Sequence, residues 1–314
     1  MSTFAQRIKD HARSIGFDKV GIVPAGPLTR EGERFGQWLE RGFHGEMTWL
    51  EREPDKRADP RILFPGARSV VVVAVNYYTD HKHENSDTAG RISRYAWGDD
   101  YHDVVGDKLR ELLTWIKNES PETDGKACID TAPMMDKAWA VRAGLGWLGK
   151  HTNVITRELG SWIFIGELIL NIELDYDDAV IADHCGTCTA CIDACPSQAI
   201  SPFQLDPNRC MTTYTIETET EPPREVSMAI ARSGWAAGCD ICQEVCPWNA
   251  KPIFGDAELW GQADRLHAEP ATSLRLGPSQ WRSRTRRTAL RRVRHRHWRR
   301  NVDLILASRA DGTA

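Results

Sequence analysis

Phe4, Ile8, Ala12 and Ile15 recur at helical spacing and Gly16 follows as a stop, so the chain is expected to open on an amphipathic helix. Residues Phe17 to Val23 read as a strand closed by Pro24 and Gly26, and a second helix is expected over Arg34 to Arg41, before Gly42. Residues 51 to 61 are too charged and too punctuated by proline for regular structure, which predicts a loop. Val70 to Val75 is an unbroken β-branched run, the pattern of a strand buried on both faces at the centre of a sheet. Leu109, Leu112, Leu113 and Ile116 mark a further amphipathic helix. Ala127 to Asp130 reads as a short strand, with Pro133 at the first turn of the next helix. Thr152 to Thr156 and Trp162 to Leu170, joined through Gly160, read as a hairpin. Helices and strands that alternate and then finish on a hairpin predict an α+β fold, with helices and sheet packed as an α/β sandwich.

The 41% hydrophobic and 27% charged residues among 314 are those of a globular protein long enough for an ordinary domain and a smaller one. No run of eighteen apolar residues occurs and the first residues form no signal-peptide core, so no membrane span and a cytoplasmic location are expected. That location keeps thiols reduced. Charge is divided unevenly. Residues 271–314 hold twelve arginines against Asp303 and Asp311, so the net charge of -4 is +10 there and -14 before it. Leu290, Val293, Trp298, Val302 and Ile305 fall at near-helical steps within this segment, which predicts a basic helix facing a polyanion.

The chemistry is carried by cysteines. Cys185, Cys188, Cys191 and Cys195 stand at the spacings of a bacterial ferredoxin run and are followed by Pro196. Cys239, Cys242 and Cys246 repeat the final spacings, again before a proline, Pro247. In two-cluster ferredoxins the fourth thiol of each run serves the other cluster. Cys185, Cys188, Cys191 and Cys246 are therefore expected to hold one 4Fe-4S cluster. Cys195, Cys239 and Cys242 hold the other, with Cys210 as the available fourth thiol. Paired Cys-x-x-Cys motifs also bind zinc, but two runs each ending in Cys-Pro favour clusters. The ninth thiol, Cys128, reads as a buried small hydrophobe. Two clusters make an electron relay, and some 180 residues precede it, enough for a catalytic domain. No Gly-x-Gly-x-x-Gly follows a strand and no phosphate loop is present, so nicotinamide and nucleoside triphosphate are weakly supported.

The motifs Glu53-Pro-Asp-Lys-Arg57-Ala-Asp-Pro-Arg61, Tyr95-Ala-Trp-Gly-Asp-Asp-Tyr-His102, Asp130-Thr-Ala-Pro133, Gly146-Trp-Leu-Gly-Lys150 and Gly238-Cys-Asp-Ile-Cys-Gln-Glu-Val-Cys-Pro-Trp-Asn249 resemble the epoxyqueuosine reductase family over roughly residues 1 to 250. The resemblance implies a cobalamin-dependent oxidoreductase with two 4Fe-4S clusters. Its reaction would be the last step of queuosine synthesis, reducing the epoxide at the wobble base of tRNA. It implies Asp130 as proton donor, kept protonated by burial against corrin and base. It places Arg57, Ser93, Asp130, Gly149, Lys150, His151, Thr212 and Asp240 along the cobalamin. Arg284, Arg286, Arg287, Arg291 and Arg292 are then expected contacts to tRNA phosphates.

Three parts follow from this reading: a cobalamin-binding catalytic domain over 1–180, a ferredoxin-like domain over 181–255, and a linker with an arginine-rich helical tail over 256–314. Partners would be tRNA and an external electron donor, acting on a monomer. Longer members of the family carry a C-terminal helical-repeat domain, and the chain resembles a short form without it. The competing expectations are a cobalamin-dependent reductive dehalogenase, usually exported behind a twin-arginine signal that is not found here, and a non-catalytic electron-transfer protein, which leaves Asp130 and the basic tail unexplained.

Overall fold

The structure, a computed structural model, describes residues 2–83, 89–178, 181–256, 260 and 275–310. Its centre is a four-stranded antiparallel sheet of β1 (Lys19–Pro24), β2 (Ser69–Asn76), β3 (Gly125–Cys128) and β4 (Ile163–Leu170), in the spatial order β1, β2, β4, β3. All eight residues of β2 are buried, as its β-branched run predicts for a central strand. The sheet carries helices on both faces. Val71, Val73 and Val75 face the helices Phe4–Ser14 and Tyr101–Glu119 through Ile8, Leu109 and Leu112. Val70, Val72 and Ala74 face the helix Asp136–Arg142 through Trp139 and Ala140. The fold is α+β.

Three expectations change. Residues 51 to 61 hold two helical turns, Pro54–Ala58 and Pro60–Leu63. Each starts on a proline, whose missing N–H costs nothing in the first turn, and Asp59 accepts from the Arg61 N–H to cap the second. The expected hairpin is reduced to one bridge between Thr156 and Gly160, because β4 pairs with β2 and β3 while Val154–Ile155 pairs with Trp147–Leu148. Pro133 lies in the turn before the helix that begins at Asp136, not within its first turn.

A second core unites distant parts of the chain. Ile92 and Trp97 pack with Met211, Ile230 and Trp235 and with Trp281, Leu290, Trp298, Val302 and Ile305. The last four of these sit in or just before the helix His295–Ala310, whose Asn301 side chain is buried and donates to Ala236 O at 2.9 Å. Trp298 stacks on Trp281 with centroids 4.3 Å apart. The basic segment is thus built into the body by its apolar face. Of the expected linker and tail over 256–314, residues 257–259, 261–274 and 311–314 lie outside the described residues.

Candidate active site and cysteine centres

The two cysteine runs fold onto each other. Cys185, Cys188, Cys191 and Cys246 line one cavity of about 280 Å³ together with Lys150, His151, His184 and Trp248. The loop between the first two thiols is closed by the Cys188 N–H to Cys185 O bond and held by Lys150 Nζ, which donates to Gly186 O at 2.6 Å and Cys188 O at 2.9 Å. Cys195, Cys210, Cys239 and Cys242 form the other group: burial pushes the Cys242 thiol far up, and charge on Cys210 and Cys195 would push it further. Thr212 hydrogen-bonds to the Cys210 thiol, favouring its ionised form. All nine cysteines are free of disulfides, and Cys128 is buried apart in β3. Crowded, buried thiols of this kind resist ionisation on their own, and cationic iron would reverse that. The donor set therefore suits two clusters.

The second centre is built at the N-terminus of the helix Tyr101–Glu119. Asp100 caps that helix, its carboxylate accepting from the His102 N–H, and the same oxygen meets His102 Nδ1 at 2.6 Å. This fixes the imidazole so that Nε2 lies 3.0 Å from Asp130 Oδ2, which also accepts from Tyr101 Oη at 2.8 Å. Tyr101 is held by stacking on Phe164 of β4, centroids 4.3 Å apart. Asp130 itself stands two residues beyond β3 with a left-handed φ of 39°, an uncommon conformation for a non-glycine residue.

Burial works against charge on His102, but its bonds to Asp100 and Asp130 outweigh it and hold its pKa up at about 9. Burial would also raise Asp130, yet the donors His102 and Tyr101 and the charges of His102 and Arg292 hold it below the usual carboxylate range. With its side chain 53% exposed and two donors on one oxygen, Asp130 is the more acidic member of its pair with His102. The proton of the pair resides on His102. Sequence reading missed Asp100, Tyr101 and His102 as site residues, although all three lie inside one quoted motif.

The other expected residues divide among three places. Asp240 is buried and accepts from Arg94 N–H at 2.7 Å and from Ser93. Ser93 is packed so closely that a Cβ at Gly238 would stand 2.4 Å from its Oγ. Thr212, Lys150 and His151 stand at the cysteines, where Lys150 is engaged by the cluster loop. His151 receives the Asn153 N–H on Nδ1, leaves Nε2 buried without a partner, and is kept neutral by burial, its pKa lowered to about 4. At Gly149 a Cβ would stand 2.6 Å from Ile155 Cδ1, so a side chain there would displace Ile155. Arg57 lies toward Asp136, with its Nε buried and unpartnered. Lys137, which donates to Asn153 at 2.9 Å, feels Asp136 and Asp130 on one side and Cys242 and Cys210 on the other. The carboxyl centre and the second cysteine group therefore both lie within electrostatic reach of Lys137. Orphaned Arg57 Nε and His151 Nε2 fit a large ligand rich in amide groups, as cobalamin is.

The basic segment meets the same centre. Arg287 O accepts from the Asp100 N–H, Arg287 pairs with Asp99 at 2.8 Å, and Arg291 reaches Asp100 at 3.1 Å and Asp103 at 3.2 Å. Arg292 pairs with Glu217 at 2.5 Å. Two of the five expected tRNA contacts, Arg287 and Arg291, thus clamp the start of the helix Tyr101–Glu119 and Arg292 is held by Glu217, whereas Arg284 and Arg286 have no acidic partner among the described residues.

Comparison with known proteins agrees with this layout. The family described as "Epoxyqueuosine reductase QueG, DUF1730" matches residues 57–131, and a "4Fe-4S double cluster binding domain" matches residues 184–249. The chain is 41% identical to the epoxyqueuosine reductase of Cellulophaga algicola over 95% of its length and 96% of the relative. It is similar to the crystal structure of an epoxyqueuosine reductase with a tRNA-Tyr stem loop modified with epoxyqueuosine, at 30% identity and a TM-score of 0.86 over 96% of this chain and 80% of the other. It is also similar to the Bacillus subtilis epoxyqueuosine reductase whose catalytic aspartate loop is swung out of the active site, at 29% identity and a TM-score of 0.84 over 96% and 81% of the two chains.

Proposed function

The chain belongs to the epoxyqueuosine reductase family, and from that premise we propose that it reduces epoxyqueuosine to queuosine at the wobble position of tRNA, with cobalamin as the reaction centre and two 4Fe-4S clusters as its electron supply. The observation that carries the reading is the Asp130, His102 and Tyr101 cluster, whose Asp130 shares the electrostatic reach of Lys137 with the thiols of Cys210 and Cys242.

Cys185, Cys188, Cys191 and Cys246 hold one cluster and Cys195, Cys210, Cys239 and Cys242 the other. Arg57, Ser93, Asp130, Gly149, Lys150, His151, Thr212 and Asp240 would line the cobalamin, with Arg57 Nε and His151 Nε2 as the groups left for its amides. Bound cobalamin supplies a strongly reducing centre for attack on the epoxide. The chain supplies the acid. Asp130 stands against the reacting base, and His102, charged at neutral pH, passes it a proton for the departing oxygen while Asp100 keeps the imidazole aligned. Tyr101 Oη holds the same Asp130 oxygen and fixes its aim. A base unstacked from the anticodon can enter such a pocket, and exposed Arg286 with Arg284 would contact the phosphates that flank it. The protein acts as a monomer in the cytoplasm with an external electron donor.

Anaerobically prepared protein should contain about eight irons per chain, take up cobalamin, and convert epoxyqueuosine in tRNA from a strain lacking this activity. Loaded protein that leaves the epoxide intact would overturn the reading.

A further inference from the structure

Reduction of the epoxide breaks both of its C–O bonds, forms the C=C bond and releases the oxygen as water. Two electrons arrive through the reductive machinery of the reaction proposed above, and two protons end on the oxygen. The Asp130 and His102 pair holds one proton at neutral pH. The second has to come from elsewhere, and an unexplained feature of the sheet lies behind Asp130.

Glu167 sits in the middle of β4, in the otherwise apolar stretch Ile163-Phe-Ile-Gly-Glu-Leu-Ile-Leu170. It is fully buried, and its carboxyl oxygens meet no N–H or hydroxyl donor, only the carboxyl of Asp136. Its cross-strand neighbours are Val72 and Cys128, and the same sheet face packs on Trp139 and Ala140. Asp136, which opens the helix Asp136–Arg142, brings a second carboxyl against it, with Oδ1 also buried and unpartnered. Two ionised carboxylates cannot share such a place. Burial, and then the charge of Asp136, lift Glu167 well above the ordinary carboxyl range, while burial and then the charge of Asp130 raise Asp136 to about 7. The other titratable groups facing the pair are Arg57, Lys137 and Cys128, and the two cations pull Asp136 only part of the way back.

We propose that Glu167 and Asp136 form an internal proton store that recharges Asp130 between the two proton transfers of one turnover. The inference rests on the reductase reading above. When the Asp130 and His102 pair gives up its proton, the imidazole becomes neutral and no longer holds the Asp130 carboxylate down. Asp130 then competes for the proton of the pair, whose charge it already feels. The store refills from solvent through Asp130, whose side chain is half exposed.

Glu167→Gln keeps the shape of the side chain and removes the proton. In iron- and cobalamin-loaded protein its kcat should fall roughly tenfold with KM for tRNA unchanged, and Glu167→Asp should recover part of the rate. Independently of turnover, the cofactor-free wild type should show the infrared carbonyl band of a buried protonated carboxyl at pH 7, lost in Glu167→Gln. A wild type without that band, or a folded and loaded Glu167→Gln enzyme with wild-type kcat, would overturn the store. Should Glu167→Gln fail to fold, the wild-type band and its response to Asp136→Asn decide the matter: the band shifts or disappears if the two carboxyls share a proton, and an unchanged band sinks the proposal. Wild-type protein unable to convert epoxyqueuosine would instead remove the parent reading while leaving the infrared result standing.

Discussion

Asp130 and Glu167 carry the same chemical group, or one longer by a methylene, a few residues from the same sheet, yet their states are opposite. Asp130 is half exposed and receives bonds from Tyr101 and His102, so its charge is stabilised. Glu167 is sealed between Val72, Cys128 and the helix that carries Trp139, with only the carboxyl of Asp136 beside it, so its charge is excluded. The difference teaches that the fold sets protonation through donors supplied, more than through the residue type or its distance from the pocket.

The largest effect should come from removing the charged member. Asp130→Asn is expected to lower turnover by about 10² to 10⁴-fold while iron and cobalamin contents stay at wild-type levels; near-normal conversion of modified tRNA would erase the functional side of the comparison. The buried member should dominate stability against pH. Because the folded-state pKa of Glu167 is raised, folded protein binds a proton that the unfolded chain loses above about pH 4.3. Stability should therefore fall as pH rises from there toward its raised pKa, by roughly 1.4 kcal/mol per unit for one proton. Denaturant midpoints measured across this range should lose most of that slope in Glu167→Gln.

A smaller effect sharpens the donor argument. The raised pKa of His102, about 9, contributes stability that is fully present below about pH 6.5 and is lost as pH rises through 9. Asp100→Asn should move the imidazole titration seen by NMR down toward 6.5 and make Asp130 easier to protonate, with the Glu167 band unaltered. The smallest expected change touches neither carboxyl site. Arg284→Ala with Arg286→Ala should weaken tRNA binding and reduce its salt slope by about 0.9 for each phosphate no longer neutralised, leaving both titrations in place. Truncating the basic segment would be a poor substitute, since Trp281, Leu290 and Trp298 would leave the core with it.

Much of the layout could be read from residues alone, and the reasons are specific. The cysteine groups follow from spacing and two Cys-Pro endings, because a cluster demands thiols at fixed reach. The strand β2 announces itself because a strand buried on both faces needs a continuous apolar run, here Val70 to Val75. His102 escaped because its role depends on Asp130, 28 residues away, being turned back by a left-handed residue. Glu167 escaped because a single acid in an apolar strand says nothing of whether a donor waits for it. The basic segment was read by its arginines, which outnumber the few large apolar residues that fix it in place. Pairing of Arg287, Arg291 and Arg292 with acids of the body is a long-range fact that charge counting does not reach.

The second core has a consequence in time. Ile92 and Trp97 wait for Trp235, and all three wait for Trp298 and Ile305 near the end of the chain. During synthesis the sheet can close once β4 has left the ribosome, but the scaffold beneath Cys210 and Cys239 is completed only when the final helix arrives. Contacts this far apart in sequence form late. Iron delivered before release would meet loose thiols, so an ordered relay is something only a finished polypeptide can accept.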